Sequence, residues 1–535
     1  MPKRPVSRTE QLNSFVVTAQ QMQQIEARIF AAGMPVAALM EKVGGLLSQW
    51  ICVHYPQPIQ VGLLVGSGHN GGDALVVARE LHLAGYKVRR YQPFDHFKEL
   101  TQAHAQYADH LEIPVAHQIN DLQDCDLIID GLFGFGLSRP ITGDLAAAIE
   151  QLNAGSKPVI SIDLPSGIQT DTGAVLGTAV CASHTLCLGL WKRAFLQDAA
   201  ADYIGKAELL DFGLPLSDIQ AVLNEPCLQR ITLQLALSGL PLPRSATTHK
   251  YRQGHLLLVC GSRQYMGAAI LSGLAARASG VGMLSIAVPE ALRPLLIAQL
   301  PDALILGCPE TPTGAIADLP PELDLASYQA IACGPGLTLE AMPVVQKLLE
   351  SDRLLLLDAD GLNALAKLGI DLLKSRPAST VLTPHLGEFK RLFPELQLPD
   401  RMELAQAAAR QGAILLLKGA KTVIANPAGQ IWLNPDSTPA LARGGSGDVL
   451  TGLMGGLLAQ AAAQGISPEQ AAVSAAWWHA QAGILAAQQR TELGVDASTL
   501  VQFLIPALAH ALGSEESPAE VSQQSEVPSQ VQHLS

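Results

Sequence analysis

The chain has 535 residues, of which 48% are hydrophobic and 16% are charged, and its formal net charge is −13. This length exceeds one ordinary domain, so we expect two or three domains with sizeable cores. The acidic balance, without a long cluster of lysine and arginine, excludes nucleic acid and anionic membranes as expected partners. We expect a cytoplasmic protein, because no apolar run follows the N-terminal residues as in a signal peptide and no stretch offers the roughly 20 apolar residues of a membrane span.

The first half of the chain alternates strands, loops and helices. In PIQVGLLVGSGHNGGDALVVARELHLAGYKVRRY, the run VGLLV predicts a strand, GSGHNGGD a loop, ALVVARELHLAG a helix and YKVRRY a second strand. This order of elements is typical of a parallel sheet. CDLIIDGLFG, KPVISIDLPSG and HTLCLGL predict further strands that are each followed by a loop. An α/β domain is therefore expected for the first half.

Polar side chains follow three of these predicted strands. They are Asn70 and Asp73 in GSGHNGGD, Asp130 and Arg139 in IIDGLFGFGLSRPITGD, and Asp163 and Ser166 in SIDLPSG. Ligands of parallel α/β sheets gather at the carboxyl ends of the strands, so we expect these side chains to lie together. Amide, carboxylate and hydroxyl oxygens suit a hard cation, and a further aspartate is able to move a proton. Each aspartate taken singly also fits a turn or a helix cap.

These motifs resemble a known family. LMEKVG, GSGHNGGDA, DGLFGFGLSRP and SIDLPSG, in this order, are similar to the NAD(P)H-hydrate epimerase family over most of residues 10–215. The resemblance implies a Rossmann-like αβα domain that interconverts the R and S forms of hydrated NADH and NADPH. It also implies that Asn70, Asp130 and Ser166 hold a potassium ion, and that Asp163 moves the proton.

The same resemblance implies a set of substrate-binding residues. These are His69, Asn70, Gly71, Gly72, Asp73, Gly134, Phe135, Gly136, Leu137, Ser138, Arg139, Pro140 and Asp163. Two positions depart from the family pattern, which has asparagine at 69 and glycine at 74 where this chain has His69 and Ala74. Because histidine still hydrogen-bonds a phosphate or a ribose, we expect the departure to change affinity more than activity.

A second α/β series follows a segment without a strong strand pattern. HLLLVCGS, GMLSIAVP, AIACGPG, LLLLDADG, TVLTPH and AILLLKG predict its strands. We place the domain boundary near Asn224, which gives a first domain of residues 10–224 and a second of residues 225–512. The tail at residues 513–535 is polar and rich in Pro, Ser and Gln, so we expect it to be disordered.

The motif ALARGGSGDVLTGLMGGLLA, near the end of the second half, places glycines and one aspartate before an apolar helix. The amides of Gly445–Gly447 are suited to surround developing negative charge. Asp448 beside them does not help to bind an anion. It does help if a hydroxyl must lose its proton while it attacks a phosphoryl group. The alternative is that Asp448 is only a helix cap.

Other strand ends of the second half carry related chemistry. The residues are Lys418, Gly419 and Thr422 in LLLKGAKTVI, His385 and Glu388 in VLTPHLGEFKRLF, and Asp358, Asp360 and Asn363 in LLLLDADGLNAL. The first group fits a strand–turn–strand that holds nucleotide phosphates. The acidic groups are suited to position magnesium directly or through water. A catalytic triad of His385, Asp448 and a serine is unattractive, because no GxSxG elbow presents a nucleophile.

YMGAA, ACGPG, DADGLN, TPHLGE, KGAKT and GGSGDVLTG resemble the ribokinase-like superfamily. They are more closely similar to the ADP-dependent NAD(P)H-hydrate dehydratase family, over about residues 254–512. The resemblance implies that the hydrated cofactor contacts Ala268, Gly336, His385 and Asp448. It implies that the adenine nucleotide contacts Lys418, Gly419, Ala420, Lys421, Thr422 and Gly447. Where the family has threonine this chain has Ser446, which keeps the hydroxyl.

The chemistry implied by this second resemblance starts with magnesium and ADP. The hydroxyl of the S hydrate is phosphorylated, and loss of phosphate then restores NADH or NADPH, with AMP as the other product. Asp448 deprotonates or orients that hydroxyl. If the dehydratase accepts one epimer only, an epimerase on the same chain recovers the other.

We therefore expect a bifunctional enzyme that repairs small-molecule nicotinamide nucleotides and assembles as a homo-oligomer. Its fold is expected to be α/β, with two three-layer αβα domains, the first Rossmann-like and the second ribokinase-like. Two alternatives stay open. One is a small-molecule kinase for a vitamin precursor or sugar, with a regulatory N-terminal nucleotide-binding domain. In the other, the first half is a non-catalytic binding or interaction module.

Overall fold

The structure is a computed structural model that describes residues 7–224, 227–398 and 400–514. The described residues form two compact units. The first comprises the described part of residues 1–232 together with residues 398–404 and 429–435, and the second comprises the rest. The predicted domain boundary near Asn224 stays a prediction. The predicted tail lies outside the described residues from residue 515 onward, while residues 513 and 514 end the helix Ala497–Ser514.

The first unit is built on a seven-stranded parallel sheet. The strands of this part of the chain are β1 (Val16–Val17), β2 (Gln60–Val65), β3 (Lys87–Tyr91), β4 (Val115–Ala116), β5 (Leu127–Gly131), β6 (Val159–Ile162), β7 (His184–Leu188), β8 (Trp191–Lys192) and β9 (Lys206–Leu210). The helices are α1 (Arg8–Ser14), α2 (Ala19–Ala31), α3 (Val36–His54), α4 (His69–Leu83), α5 (Glu99–His110), α6 (Gly143–Asn153), α7 (Ala201–Ile204) and α8 (Leu216–Leu223). The sheet order is β4-β3-β2-β5-β6-β7-β9, and every pair of neighbours is parallel. Strand β1 pairs separately with β8.

The helix after β2 begins earlier than the sequence pattern predicts. GSGHNGGD is expected to be a loop, yet α4 starts at His69 and includes its last five residues. That part of the prediction is wrong because two glycines permit close packing. A Cβ at Gly71 would lie 1.8 Å from the carbonyl oxygen of Gly66, and one at Gly72 would lie 2.6 Å from the Met40 side chain. The first turn of α4 therefore packs directly on the strand end.

The second unit contains a larger sheet. The strands from residue 228 onward are β10 (Leu228–Arg230), β11 (His255–Val259), β12 (Met283–Pro289), β13 (Leu304–Cys308), β14 (Ala330–Cys333), β15 (Leu354–Leu357), β16 (Thr380–Leu382), β17 (Ile414–Leu417), β18 (Thr422–Ala425) and β19 (Ile431–Asn434). Eight of them run in the order β18-β17-β16-β15-β14-β11-β12-β13. All neighbours in this series are parallel except β17 and β18. The short parallel pair of β10 and β19 was not predicted, and its residues are grouped with the first unit.

The helices of this part complete an α/β arrangement. They are α9 (Leu233–Ser238), α10 (Met266–Ala278), α11 (Arg293–Gln299), α12 (Met342–Glu350), α13 (Ala359–Leu368), α14 (Leu386–Leu392), α15 (Arg401–Ala409), α16 (Ser446–Gln464), α17 (Pro468–Arg490) and α18 (Ala497–Ser514). Parallel strands need crossover connections, which helices provide here. The predicted α/β fold class is confirmed.

Helices α10 and α16 pack closely at a glycine of the second unit. A Cβ at Gly452 would lie 2.0 Å from the carbonyl oxygen of Ser272. The Ser272 hydroxyl donates a hydrogen bond of 3.0 Å to the backbone oxygen of Asp448. The absence of a side chain at Gly452 thus lets α10 hold the first turn of α16, where Asp448 lies.

One helix among the described residues, Val36–His54, is long and apolar enough to cross a membrane by length and composition. Its side chains Val43, Leu47 and Ile51 are buried in the hydrophobic core of the first unit. A helix that packs in a protein core is often as long and as apolar as one that spans a membrane, and packing in this core accounts for the apolar side chains.

Two candidate active sites

The first site is a cavity of about 580 Å³ in the first unit. The predicted residues that line it are His69, Asn70, Asp73, Gly134, Phe135, Gly136, Leu137, Ser138, Arg139 and Asp163. They come from the segments that follow β2, β5 and β6, as the rule for parallel sheets predicts. Gly71, Gly72 and Pro140 are chain neighbours of these residues but do not line the cavity.

Asp163 follows β6 and its carboxylate is held in place from several sides. The amide of Phe135 donates to Oδ2 at 3.2 Å, and the amide of Leu188 donates to Oδ1 at 3.3 Å. Its backbone adopts a φ of +68°, in the left-handed region that a non-glycine residue seldom occupies. Such strain is typical of functional positions, where the surroundings fix a side chain at some energetic cost.

Lys192 is the functional partner that sequence reasoning missed. This fully buried lysine forms an ion pair with Asp163. Its ammonium group also donates to the carbonyl oxygen of Leu188 at 2.6 Å. Burial lowers the pKa of Lys192, but the charge of Asp163, its hydrogen bond and the neighbouring acidic groups together raise the pKa above its ordinary value. The available signal was a lysine within the apolar run LGLWKRAFL.

The residues expected to hold potassium lie at the ends of β5 and β6. Asp130 is fully buried and accepts hydrogen bonds from the Ser166 hydroxyl at 2.6 Å and the Ser161 hydroxyl at 2.8 Å. Burial raises the pKa of Asp130, while those hydrogen bonds lower it in part. No lysine, arginine or histidine of the described residues pairs with this carboxyl group.

Asn70 lies next to this pair. A Cβ at Gly131, the residue after Asp130, would lie 3.1 Å from the backbone oxygen of Asn70. The side-chain nitrogen of Asn70 is buried and has no hydrogen-bond partner within residues 7–224, 227–398 and 400–514. The carboxyl group of Asp130 and the hydroxyl group of Ser166 are oxygen donors of the kind that suits a hard cation.

The second site surrounds the start of α16 in the second unit. Gly445 precedes the helix with a φ of +89°, in the left-handed region that glycine adopts without strain. Asp448 lies in the first helical turn. The pKa of Asp448 is raised to about 6, first by burial and also by the charge of Asp358, while the charge of Lys418 opposes the rise. A carboxyl group of this pKa is ionised at neutral pH and is still basic enough to take a proton.

Lys418 connects this helix start to the neighbouring strands. Its ammonium group lies 2.7 Å from Oδ1 of Asp358 and 3.9 Å from Oε2 of Glu388. A Cβ at Gly447 would lie 3.5 Å from the same ammonium group. The hydroxyl of Thr451, which sequence reasoning missed, donates to the other oxygen of Asp358 at 2.7 Å. Two predicted nucleotide contacts, Lys418 and Gly447, therefore lie together beside Asp358.

The other predicted nucleotide contacts form the turn between β17 and β18. Gly419, Ala420 and Lys421 connect these antiparallel strands. The Thr422 hydroxyl donates to the carbonyl oxygen of Gly419 at 3.1 Å. The predicted strand–turn–strand is therefore present as a hairpin.

His385 caps the helix α14. Its Nδ1 accepts a hydrogen bond of 2.9 Å from the amide of Gly387, and Glu388 accepts one of 2.9 Å from the amide of His385. Because Nδ1 accepts, the neutral ring carries its proton on Nε2. The His385 side chain is half exposed, and its Nε2 lies 3.6 Å from Oε1 of Glu388.

Two predicted acidic-site residues are engaged in local hydrogen bonds. Asp360 accepts hydrogen bonds from the amide of Thr338 at 3.0 Å and from the side-chain amide of Asn363 at 3.1 Å.

Elsewhere in the site, the predicted substrate contacts Ala268 and Gly336 are neighbours. A Cβ at Gly336, where φ is +65°, would lie 2.9 Å from the Cβ of Ala268.

Comparisons with known proteins agree on both halves. The pattern of the NAD(P)H-hydrate dehydratase family matches residues 256–506, and that of YjeF-related protein N-terminus matches residues 36–194. A bifunctional NAD(P)H-hydrate repair enzyme of Synechocystis sp. is 55% identical, with 93% of this chain and 95% of the relative covered. One of Thermosynechococcus vestitus is 52% identical, with 93% and 98% covered.

This chain belongs to the family of bifunctional NAD(P)H-hydrate repair enzymes. The family resemblance predicted from the motifs of each half is thereby confirmed. Among solved structures, an ADP/ATP-dependent NAD(P)H-hydrate dehydratase from Bacillus subtilis, co-crystallised with ATP and Mg²⁺, is 35% identical with a TM-score of 0.45. It covers 52% of this chain and 97% of its own. The roles of individual site residues stay predictions.

The buried pair in the first site gives a stability prediction. Replacing one partner leaves the other charge buried and uncompensated, which costs about 3–5 kcal/mol. We expect Asp163→Asn and Lys192→Met each to lower the thermal unfolding midpoint of this repair-family protein. The double variant should lose less than the sum of the two, because no unpaired charge remains.

Calorimetry of the four proteins measures this coupling. Lys206→Met serves as a control, because Lys206 forms an exposed pair with Glu208, which is worth about 0–1 kcal/mol. Additive losses in the double variant would contradict a direct interaction between Asp163 and Lys192.

Proposed function

We propose that the first unit epimerises the R and S forms of hydrated NADH and NADPH, and that the second unit dehydrates the S form with ADP, giving AMP and phosphate. The observation that carries the proposal is the presence of both family patterns on one chain. Each matched range includes a lysine that interacts with the proposed catalytic aspartate. Lys192 forms an ion pair with Asp163, and the charge of Lys418, which pairs with Asp358, lowers the pKa of Asp448.

In the first unit, Asp163 is proposed to move the proton. Hydration of the ring places the hydroxyl on the carbon next to the ring nitrogen. The nitrogen lone pair is able to expel that hydroxyl, and water returns to the other face of the carbon. Both steps need a proton to be moved at oxygen. Asp163 lines the cavity, and the amides of Phe135 and Leu188 fix its carboxylate. The cavity walls limit the escape of the reactive intermediate.

We infer that Asn70, Asp130 and Ser166 hold potassium. The buried carboxyl group of Asp130, without a paired cation among the described residues, supports this assignment. When bound, the ion supplies positive charge beside the substrate site. The set lies at the end of β5 and adjoins Gly134, which faces both Asn70 and Asp163.

In the second unit, Asp448 is proposed to take the proton of the hydrate hydroxyl. The hydroxyl oxygen bonds to the terminal phosphorus of ADP, the bond to the bridging oxygen breaks, and AMP leaves. The amides of Gly445–Gly447 and the ammonium group of Lys418 are placed to stabilise the charge of the transferring group. The ring nitrogen then expels phosphate, and loss of a proton from the adjacent carbon restores the dihydropyridine ring.

Asp358 and Glu388 are the proposed magnesium-binding residues. Both carboxyl groups are buried, with exposures of 2% and 6%, and they share one close lysine, Lys418. Two buried carboxylates beside a single ammonium group fit a hard divalent cation, held directly or through water. When bound, magnesium neutralises phosphate charge during transfer. The cytoplasmic location and the homo-oligomeric state stay predictions.

One assay tests the proposed function. The protein is mixed with both epimers of hydrated NADH, magnesium, potassium and ADP, and the absorbance of reduced nicotinamide is followed. We expect full and rapid recovery. Asp163→Asn should recover the S fraction rapidly and the rest at the spontaneous epimerisation rate. Asp448→Asn should recover none while epimer exchange continues. A phosphorylated product that persists, or no recovery with ADP or ATP, would favour the small-molecule kinase alternative.

The potassium assignment has its own test. Epimer exchange in sodium-only buffer should be slower, since the smaller ion fits the same ligands less well. Asp130→Asn should remove the difference between the two buffers. The dehydration of pure S hydrate is the control in each buffer. Equal exchange rates for the unmodified protein in sodium and potassium would exclude a specific role for the ion.

The dehydratase should depend on pH through Asp448. A base must be unprotonated, and the pKa of Asp448 is raised to about 6, so the rate should be constant above pH 7 and fall below pH 6. Asp448→Asn should lower the rate at pH 8 by about 10²–10⁴-fold and remove this dependence. The matched control is Asp371→Asn, since Asp371 is exposed. An unchanged pH profile in the Asp448 variant would assign the titration to another group.

A further inference from the structure

Helix α2 brings into the cavity of the first unit a carboxyl group to which no role has been assigned. Met22, Glu26 and Phe30 follow each other at intervals of one helical turn, and all three line the cavity. Glu26 is the middle member of an otherwise apolar stripe. Within the described ranges, its carboxyl group forms no hydrogen bond and no ion pair. A carboxyl group that is placed in this way is available to a ligand.

Several charged groups line the same cavity as Glu26. They are His69 and Asp73 of α4, Lys98 before α5, Arg139 after β5, Asp163 after β6 and Lys192 of β8. On its own helix, Arg28 is turned outward and pairs with Asp218 of the packed helix α8 at 3.0 Å. The pKa of Glu26 is raised to about 7, first by burial and also by the charge of Asp163, while the charge of Lys192 opposes the rise.

Asp73 differs from Glu26 in this environment. Burial, followed by the charges of Asp163 and Glu26, raises the pKa of Asp73 well above its ordinary value. Asp73 therefore favours its protonated form more strongly than a solvated aspartate does. With a pKa of about 7, Glu26 is able both to give and to take a proton near neutral pH, as a proton carrier must.

Inversion at a ring carbon requires proton transfer on both faces of the ring. The hydroxyl departs from one face and water arrives at the other. One carboxyl group on one wall reaches only one face of a bound planar ring. Asp163 is presented by the segment after β6, whereas Glu26 is presented by α2, so the two groups approach the cavity from different elements.

We propose that Glu26 is the second acid–base residue of epimerisation and acts from the α2 wall, while Asp163 acts from the segment after β6. The inference rests on the proposed function of the first unit. In one direction Glu26 gives its proton to the hydroxyl, the carbon–oxygen bond breaks, water leaves, and the ring nitrogen forms a double bond to the carbon. The oxygen of a second water bonds to the other face of the carbon, and the electron pair of the carbon–nitrogen double bond returns to nitrogen. The extra proton on the added oxygen passes to Asp163. The opposite epimer uses the two residues in reverse.

Epimer exchange without ADP tests Glu26 in the full-length protein. The rate is measured from a single purified epimer of hydrated NADH by separating the two forms. Glu26→Gln should lower kcat by about 10²–10⁴-fold with a smaller change in KM, because glutamine does not carry the proton. The rate of the unmodified protein should fall as the pH rises through about 7, where the acid form of Glu26 is lost. This alkaline decrease should be absent in the variant.

Two further variants complete the test. Glu26→Asp keeps a carboxyl group and should retain the alkaline decrease and part of kcat. The matched control is Glu150→Gln, because Glu150 is exposed and lies outside the cavity. Dehydration of the S hydrate by Glu26→Gln, together with its thermal unfolding, reports whether that variant is folded. If it is not folded, the pH profile of Glu26→Asp decides, and a profile without the alkaline decrease would overturn the proposal.

Different results would contradict the proposed epimerase activity and the proposed role of Glu26. Absence of exchange in the unmodified protein would contradict the proposed epimerase. Exchange in the unmodified protein, with kcat and the alkaline decrease unchanged in Glu26→Gln, would overturn only the role of Glu26. A loss of kcat with the alkaline decrease intact would also overturn it, because a purely structural role predicts that result.

Discussion

Each unit depends on a lysine that is paired with a buried aspartate at the end of a parallel strand. Lys192 is fully buried against Asp163, and Lys418 pairs with Asp358, which is 2% exposed. Removing two charges from water costs more than a surface ion pair returns, so such pairs contribute little net stability. The main effect of these ion pairs is to fix the positions of the charged groups. Each lysine fixes the carboxylate next to it and keeps positive charge beside the site where a proton or a phosphoryl group is proposed to move.

Close backbone packing sets the geometry around these charges. In the first unit, Gly71 lets the first turn of α4 lie against Gly66, which places His69 and Asn70 at the cavity. In the second, Gly452 lets α16 approach Ser272, whose hydroxyl holds the backbone of Asp448. A methyl group at either glycine would overlap a carbonyl oxygen. The glycine-rich motifs therefore do two things: they expose amides to a ligand, and they position the helix that carries the acidic group.

The sequence predicted most of the parallel strands and the acidic strand ends, because buried parallel strands are continuous apolar runs and ligands gather where they end. It did not predict Lys192, Thr451 or Glu26. Lys192 acts through a pairing with a residue far away in the chain, and its own surroundings are simply apolar. Glu26 lies on a helix whose pattern marks only an amphipathic surface. Which of its faces meets the cavity is decided by tertiary packing, which local periodicity does not encode. The early start of α4 depends on the same kind of contact.

The two proposed proton carriers, Glu26 and Asp448, together limit the pH range in which the whole repair reaction is fast. An epimerase that needs the acid form of Glu26 slows as the pH rises through about 7. A dehydratase that needs the basic form of Asp448 slows as the pH falls through about 6. Both groups owe these values first to burial, which disfavours a charged carboxylate. Conversion of a mixture of epimers is therefore fastest where the two ranges overlap, near neutral pH. A more exposed Glu26 would lose its proton at lower pH and would leave the R form unused while the dehydratase remained active.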